Sequence, residues 1–481
     1  MGVGKQIANN VVWKSLELFA VTGIQFISTF VMARFLQPDD YGVMGLVTVF
    51  TAFANVIIDS GFGQALIREK EVTRTDYSTI LYFNILISVL LYALFFIFSG
   101  DIAAFFNKPI LGDVCKITFL VLLFNALSIV QITKIQRDVK FKKLCCISLL
   151  SSLLASGIAV YIAYVYRNVW ALVVQNILIY FFKMFFMWIT TDFVPVVKFS
   201  LSSLKKYLAF SKDLMLSSII GTVFNNVYSL VIGKVYSATD LGYYSQAERL
   251  SNLGSQTTTH VIHSVIYPFL SKINNENGGV KEGYRKIMGI TLIFVGSVMA
   301  LLMGCAPDLF EFLMGNEVWR LAGVYFVLIG INGILHPLHS INQNILMVKG
   351  KSKTILYLEI LRRFIMVVIL VVTMQFGIMV FVAGLTFYSI LQLFVNMYFC
   401  GRPIGYGVVA QLKDHLPIFA RLLVMIVTSL LVGYMLSSVP LFVRLVITMV
   451  TGIVCGLVVF WGQSDFKTAL SILVTLVRKR D

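Results

Sequence analysis

Three charged residues stand inside one hydrophobic stretch of this chain. Glu359, Arg362 and Arg363 fall within the apolar run 355–376. A charge in a lipid-spanning helix costs about 2.5–3.5 kcal/mol on insertion scales, so such residues face a partner or a cavity. At helical spacing Glu359 reaches either arginine. Adjacent residues point about 100° apart, so one guanidinium pairs with Glu359 while the other faces elsewhere. The chemistry this offers is capture of an anion by the unpaired cation. The competing reading is a neutralised pair near the membrane surface.

Other residues pose the same choice. Lys14 and Glu17 are three apart in the first apolar run and can pair locally or line a cavity. Arg34 and Lys234 end two helices 200 residues apart, either snorkelling to lipid phosphates or forming a cationic mouth. Glu248, Arg249, Arg421 and Arg444 are further charges in or beside apolar runs, and Lys183 lies within one. Asp59, in Ile57-Ile58-Asp59-Ser60-Gly61, is read as a helix lock, a gate or an ion ligand. Asn225 and Asn226 suit sugar hydroxyls or an interhelical hydrogen bond. His260 and His263 share a helix face, and His336 and His339 bracket Pro337. A proline frees a helix carbonyl, and such breaks mark hinges or transport sites. These histidines are read as polar cavity or gating residues, and no metal site is expected.

The elements that must position these residues are membrane helices. Of 481 residues, 58% are hydrophobic and 13% charged. Soluble domains carry about 25% charged residues, so this chain lacks the polar cover that water demands. Runs near 20 apolar residues mark spanning helices. They fall at 12–34, 41–58, 77–99, 113–133, 144–166, 169–191, 214–236, 250–270, 287–306, 319–341, 355–376, 378–399, 417–437 and 441–461. The fold expected is an all-α integral membrane protein of about 14 transmembrane helices. Of the 39 Lys and Arg, 26 fall at the termini and even-numbered loops, 8 in odd-numbered loops and five in spans. The positive-inside rule then places both termini in the cytoplasm. The net charge of +16 thus follows topology, which argues against a nucleic-acid partner.

The chain repeats itself. Arg34 through Gly42 and Lys234 through Gly242 share a cation, an Asp and a Gly in register at a spacing of 200. Asp101–Phe105 resembles Asp308–Phe312, and Lys140 and Lys142 match Lys351 and Lys353. The unit is six helices, and an even unit gives two bundles related by a parallel repeat. The expected organisation is an N-lobe over 1–191, a cytoplasmic interfacial linker over 192–213, a C-lobe over 214–400, and two peripheral helices with an amphipathic tail over 401–481. Lys198, Lys205, Lys206 and Lys212 suggest that the linker is an interfacial helix.

Several chemistries are excluded. The six cysteines have no metal-ligand spacing and read as packing residues. Gly350-Lys351-Ser352 lacks the earlier glycine of a phosphate loop, because residue 345 is Ile. The first apolar run carries Lys14 and Glu17 and no small-residue cleavage site, so it is expected to be a retained helix. Gln6 breaks a myristoylation pattern. Loops are short, leaving no room for a soluble catalytic domain, so the chain is not expected to be an enzyme.

The stretches Ala33-Arg-Phe-Leu-Gln-Pro-Asp-Asp-Tyr-Gly42, Asp59-Ser-Gly-Phe-Gly-Gln-Ala-Leu-Ile-Arg68, Thr75-Asp-Tyr-Ser-Thr79, Gly233 through Leu250 and Phe312 through Trp319 carry a family likeness. They resemble polysaccharide-export (Wzx-like) flippases of the multidrug/oligosaccharidyl-lipid/polysaccharide (MOP) superfamily. The resemblance implies a MATE-like V of two six-helix bundles with two peripheral helices, working by alternating access. It implies as cargo an oligosaccharide repeat unit on undecaprenyl pyrophosphate, moved to the outer leaflet for O-antigen, capsule or exopolysaccharide assembly. It implies a bacterial inner-membrane location, and a polysaccharide polymerase and glycosyltransferases as pathway partners. It implies no cofactor, and a driving force from Na+, H+ or membrane potential. The rival readings are a MATE-type multidrug or cation antiporter, whose cavity should be acidic, a peptidoglycan lipid-precursor flippase, and a membrane glycosyltransferase, which would need a sizeable outer loop.

Overall fold

The run of Asp and Pro after Gln37 shows how local chemistry starts these helices. In the computed structural model, Pro38 opens a helix at the position where its missing N–H costs nothing. Gln37 N donates to Asp40 Oδ2 at 2.9 Å, closing the first turn. Thr73 and Asp76 form a reciprocal capping box, with Thr73 N to Asp76 Oδ2 at 2.9 Å and Asp76 N to Thr73 Oγ1 at 3.2 Å. The structure describes residues 3–255, 279–463 and 466.

The described residues are helical almost throughout and contain no strand. The elements are α1 (Val3–Ala33), α2 (Pro38–Asp59), α3 (Phe62–Arg68), α4 (Arg74–Ile97), α5 (Ser99–Phe105), α6 (Pro109–Thr118), α7 (Leu120–Arg137), α8 (Phe141–Tyr166), α9 (Trp170–Thr190) and α10 (Leu201–Val235). They continue with α11 (238–255), α12 (Val280–Met314), α13 (Arg320–Val348), α14 (Ser352–Thr373), α15 (Ile378–Gly401), α16 (Val408–Met435) and α17 (Leu441–Phe460). Among the described residues, 12 spans are long and apolar enough to cross a membrane. Two of the expected spans are not among them. The expected 250–270 lies mostly outside the described residues, and α14 has spanning length but carries Glu359, Arg362 and Arg363.

The chain divides into two units, Met1–Gly242 and Tyr243–Asp481. In the first, α8 packs on α1 and α9, α7 on α4 and α9, and α10 on α2. In the second, α12 is central and packs on α13, α16 and α17, while α15 packs on α13 and α14. The α12 core is methionine-rich, with Met299 and Met303 buried. Apolar side chains also cover the outside: Tyr434, Met435 and Trp461 are among the most exposed residues, as lipid permits.

The linker departs from expectation in form. Residues 191–200 have no helix, and 201–213 run unbroken into 214–235 as the 35-residue α10. Ser200 starts it, its Oγ accepting from Ser203 N at 3.2 Å. At 1.5 Å per residue, α10 exceeds the roughly 30 Å hydrocarbon core, so the Lys-rich first turns extend beyond it.

The 200-residue repeat has a physical meaning. Asp40 and Asp240 each sit three residues after a cap and bond back to it, Asp240 N donating to Ser237 Oγ at 3.0 Å. The first turns of α2 and α11 also touch closely and reciprocally. A Cβ on Gly42 would stand 1.6 Å from Ala238 O, and one on Gly242 would stand 1.9 Å from Pro38 O. Only glycine lets the two backbones approach this closely. Asp39 Oδ1 accepts from Lys108 Nζ at 2.7 Å and from Thr239 Oγ1 at 3.2 Å, pinning the same junction.

Candidate functional site

In the first unit, α1 and α8 build a buried carboxylate. Glu17 is 8% exposed. Its Oε2 accepts from Lys14 Nζ at 2.9 Å and its Oε1 from Ser148 Oγ at 2.8 Å. Lys183 lies on α9, partly buried. Lys183 stood out in the sequence only as an in-span charge.

In the second unit, one turn of α14 builds a similar cluster. Glu359 Oε2 accepts from Arg362 Nη2 at 2.8 Å, and Oε1 accepts from Arg363 Nη2 at 2.8 Å. Both arginines are within reach, as their spacing implies, but the expectation that one pairs while the other faces elsewhere is corrected: both pair with Glu359. The two Cβ directions diverge, but the guanidinium arms are long enough to converge on the two carboxylate oxygens. Arg362 is buried and also donates Nε–H to Leu358 O at 3.1 Å, whereas Arg363 is partly exposed. Here two cations share one glutamate, with an excess of one.

The remaining residues singled out in the sequence lie elsewhere. Lys234 is exposed; its ammonium donates to Phe105 O at 2.5 Å and sits 4.2 Å over the Phe105 ring. It thereby satisfies a carbonyl at the end of α5, where a cation complements the helix dipole. Arg34 is exposed in the turn after α1, and Arg249 is half-buried on α11. Asp59 ends α2, exposed, beside Gly63, whose Cβ would lie 3.6 Å from Asp59 Oδ1. Asn226 Nδ2 donates back to Thr222 O of its own helix at 2.8 Å, and Asn225 is exposed. His336 is exposed, while His339 is buried between Ser389 Oγ at 3.2 Å and Asn396 Nδ2 at 3.1 Å. Pro337 leaves α13 unbroken. His260 and His263 lie outside the described residues. No cluster of His, Cys, Asp and Glu suited to a metal occurs among the described residues.

A further charge network was legible only in part. Arg444 was visible as a cation near a helix end, but its partners were not. Arg444 Nη2 lies 2.9 Å from Asp308 Oδ1, and both side chains are 7% exposed. Arg320 Nη1 meets Asp308 at 3.2 Å and Glu311 at 2.7 Å. Two arginines balance two acids, tying α17 and α13 to the end of α12. Beyond the spans, burial pushes the Tyr406 hydroxyl above its ordinary pKa; it donates to Asp414 Oδ2 at 2.5 Å, and Asp414 meets Arg285 Nε at 3.2 Å.

The Glu359 cluster can hold an anion: a carboxylate shared by two cations can be displaced or supplemented by a phosphate oxygen. Comparison with known proteins agrees on the class of protein. The sequence profile of the family described as "Polysaccharide biosynthesis protein" matches residues 31–322, more than half of the chain. The teichuronic acid biosynthesis protein TuaB of Bacillus subtilis is 24% identical over 357 residues, covering 74% of each chain. Among solved structures, the lipid II flippase MurJ in an inward closed conformation aligns with a TM-score of 0.70 at 14% identity, over 94% of this chain and 99% of its own. An inward-facing multidrug resistance MATE transporter of the MOP superfamily aligns with a TM-score of 0.62 at 15% identity, over 82% and 98%. At such identities the structures speak for the fold alone.

Proposed function

We propose, for a chain that belongs to the polysaccharide biosynthesis protein family, a flippase that carries oligosaccharide repeat units linked to undecaprenyl pyrophosphate from the cytoplasmic to the outer leaflet. The coarse class is a multi-pass membrane transporter of the MOP fold. The finer reading rests chiefly on one observation: on α14 two cations, Arg362 and Arg363, share the one carboxylate of Glu359. A pyrophosphate entering low-dielectric surroundings needs such a cationic excess, because its desolvation is otherwise prohibitive. A cation antiporter would favour the opposite sign. The excess of Lys and Arg in even-numbered loops and at the termini supports both ends facing the cytoplasm of a bacterial inner membrane. Glycosyltransferases would supply the cargo and a polymerase would consume it. Coupling to Na+, H+ or membrane potential would drive alternating access.

The test is gene deletion in the host that makes the polymer. Loss of surface polymer with accumulation of the lipid-linked precursor is expected. Unchanged polymer, with no accumulation, would overturn the reading.

A further inference from the structure

At the end of the first unit where α1 begins and α8 begins, Asn9, Asn10, Trp13, Val139, Lys140 and Lys142 line an open cavity of about 540 Å³. Lys142 Nζ stands 5.4 Å from the Trp13 ring centroid, in cation–π range. Lys140 Nζ meets Asp138 Oδ2 at 3.2 Å, and that ammonium keeps further N–H groups to donate. Two lysines, two asparagines and a tryptophan therefore line one hollow. Neither cation belongs to the Glu17 or Glu359 cluster.

The backbone here is strained. Val139 adopts φ +58, a left-handed conformation that a β-branched residue rarely takes. The equivalent position of the second unit is Gly350, at φ +65, where the conformation is easy. The following lysines match closely: Lys140 has φ −91 and ψ 53, and Lys351 has φ −86 and ψ 49. The same turn thus recurs, but in the first unit it carries a side chain on the strained residue, and that residue lines the cavity.

We infer that this cavity is a landing site for the sugar–phosphate end of the lipid-linked cargo, distinct from the Glu359 cluster and occupied before the cargo reaches it. This rests on the transport reading given above. The lysines would take phosphate oxygens as point charges. The indole offers an apolar face to the C–H face of a sugar ring, and the carboxamides of Asn9 and Asn10 supply both donors and acceptors for hydroxyls. Trp13 lies in the first turns of a helix long and apolar enough to span a membrane, and tryptophan is enriched near the ends of such helices. A cavity built for phosphate alone would need neither the indole nor the carboxamides.

The experiment is amine-labelling footprinting of the unaltered protein in phosphatidylcholine nanodiscs, read by mass spectrometry at Lys140 and Lys142. The probe is a short-chain polyprenyl pyrophosphoryl-N-acetylglucosamine. Saturating probe is expected to slow labelling of Lys142 by about tenfold, and Trp13→Leu is expected to abolish that protection. Equal protection by inorganic pyrophosphate would overturn the sugar contact. Protection by phosphatidylglycerol nanodiscs alone, with nothing added by the probe, would assign the cavity to bilayer phospholipid and overturn the inference. No protection of Lys142, in a protein whose deletion still blocks polymer export, would remove this site and leave the transport reading intact.

Discussion

Gly42 and Gly242, 200 residues apart, each press a bare backbone against the other's helix start: Gly42 lies on Ala238 and Gly242 on Pro38. The contact explains why the sequence repeats there. Both glycines are steric requirements of one reciprocal junction, reinforced by Asp39 with Lys108 and Thr239. Gly42→Ala should force the backbones apart, with a loss of stability of about 1–3 kcal/mol by overpacking. Thermal unfolding in detergent should show a clear drop in Tm for Gly42→Ala. Gly157→Ala, where a Cβ meets nothing within 4 Å, should behave as the parent.

The Glu359 cluster predicts an asymmetry between neighbours. Arg362 is buried and Arg363 is not, so Glu359→Gln strands one buried cation and one partly hydrated one. Removing one partner of a buried pair costs about 3–5 kcal/mol, whereas exposed pairs contribute about 0–1. By thermal unfolding, Glu359→Gln should therefore be rescued more by Arg362→Met than by Arg363→Met. Equal rescue by either would show that burial does not set the cost.

The Asp308–Arg444 pair should show strong coupling. Asp308→Ala and Arg444→Met each leave an uncompensated charge, but the double variant removes both. Its loss of stability should be smaller than the sum of the single losses by about 0.5–3 kcal/mol. A double-mutant cycle by denaturation in detergent measures this. Additivity would mean that the pair is not a unit, leaving Arg320 and Glu311 as the sufficient tie between α12 and α13.

Topology is open to a reporter test. An alkaline phosphatase fused after Asn107 should be active, and one fused after Val139 inactive, if the basic loop beginning at Lys140 faces the cytoplasm. Reversed activities would place both termini outside and invert the proposed direction of transport.

The fold was largely legible because hydropathy is a local property. The last expected span, 441–461, is found as Leu441–Phe460, and 378–399 as Ile378–Gly401. The start of α10 was not, because Lys205, Lys206 and Lys212 interrupt the apolar signal without interrupting the helix. The candidate site was legible where partners share a helix. Lys14 with Glu17 and Glu359 with its arginines are three or four residues apart. It was illegible where partners meet through packing, as with Ser148 on Glu17 or Arg444 on Asp308, since no spacing in one sequence encodes a crossing between distant helices.

In the proposed function, the Arg362–Glu359–Arg363 cluster recognises a lipid-linked pyrophosphate that the protein moves across the bilayer. The most direct measurement is translocation in proteoliposomes, with a fluorescent lipid-pyrophosphate-linked oligosaccharide followed by a sugar-specific enzyme added outside. Protein-dependent translocation is expected to fall at least about tenfold when Arg362 and Arg363 are both changed to Gln, in protein that remains folded. Translocation undiminished by that pair of changes would contradict it.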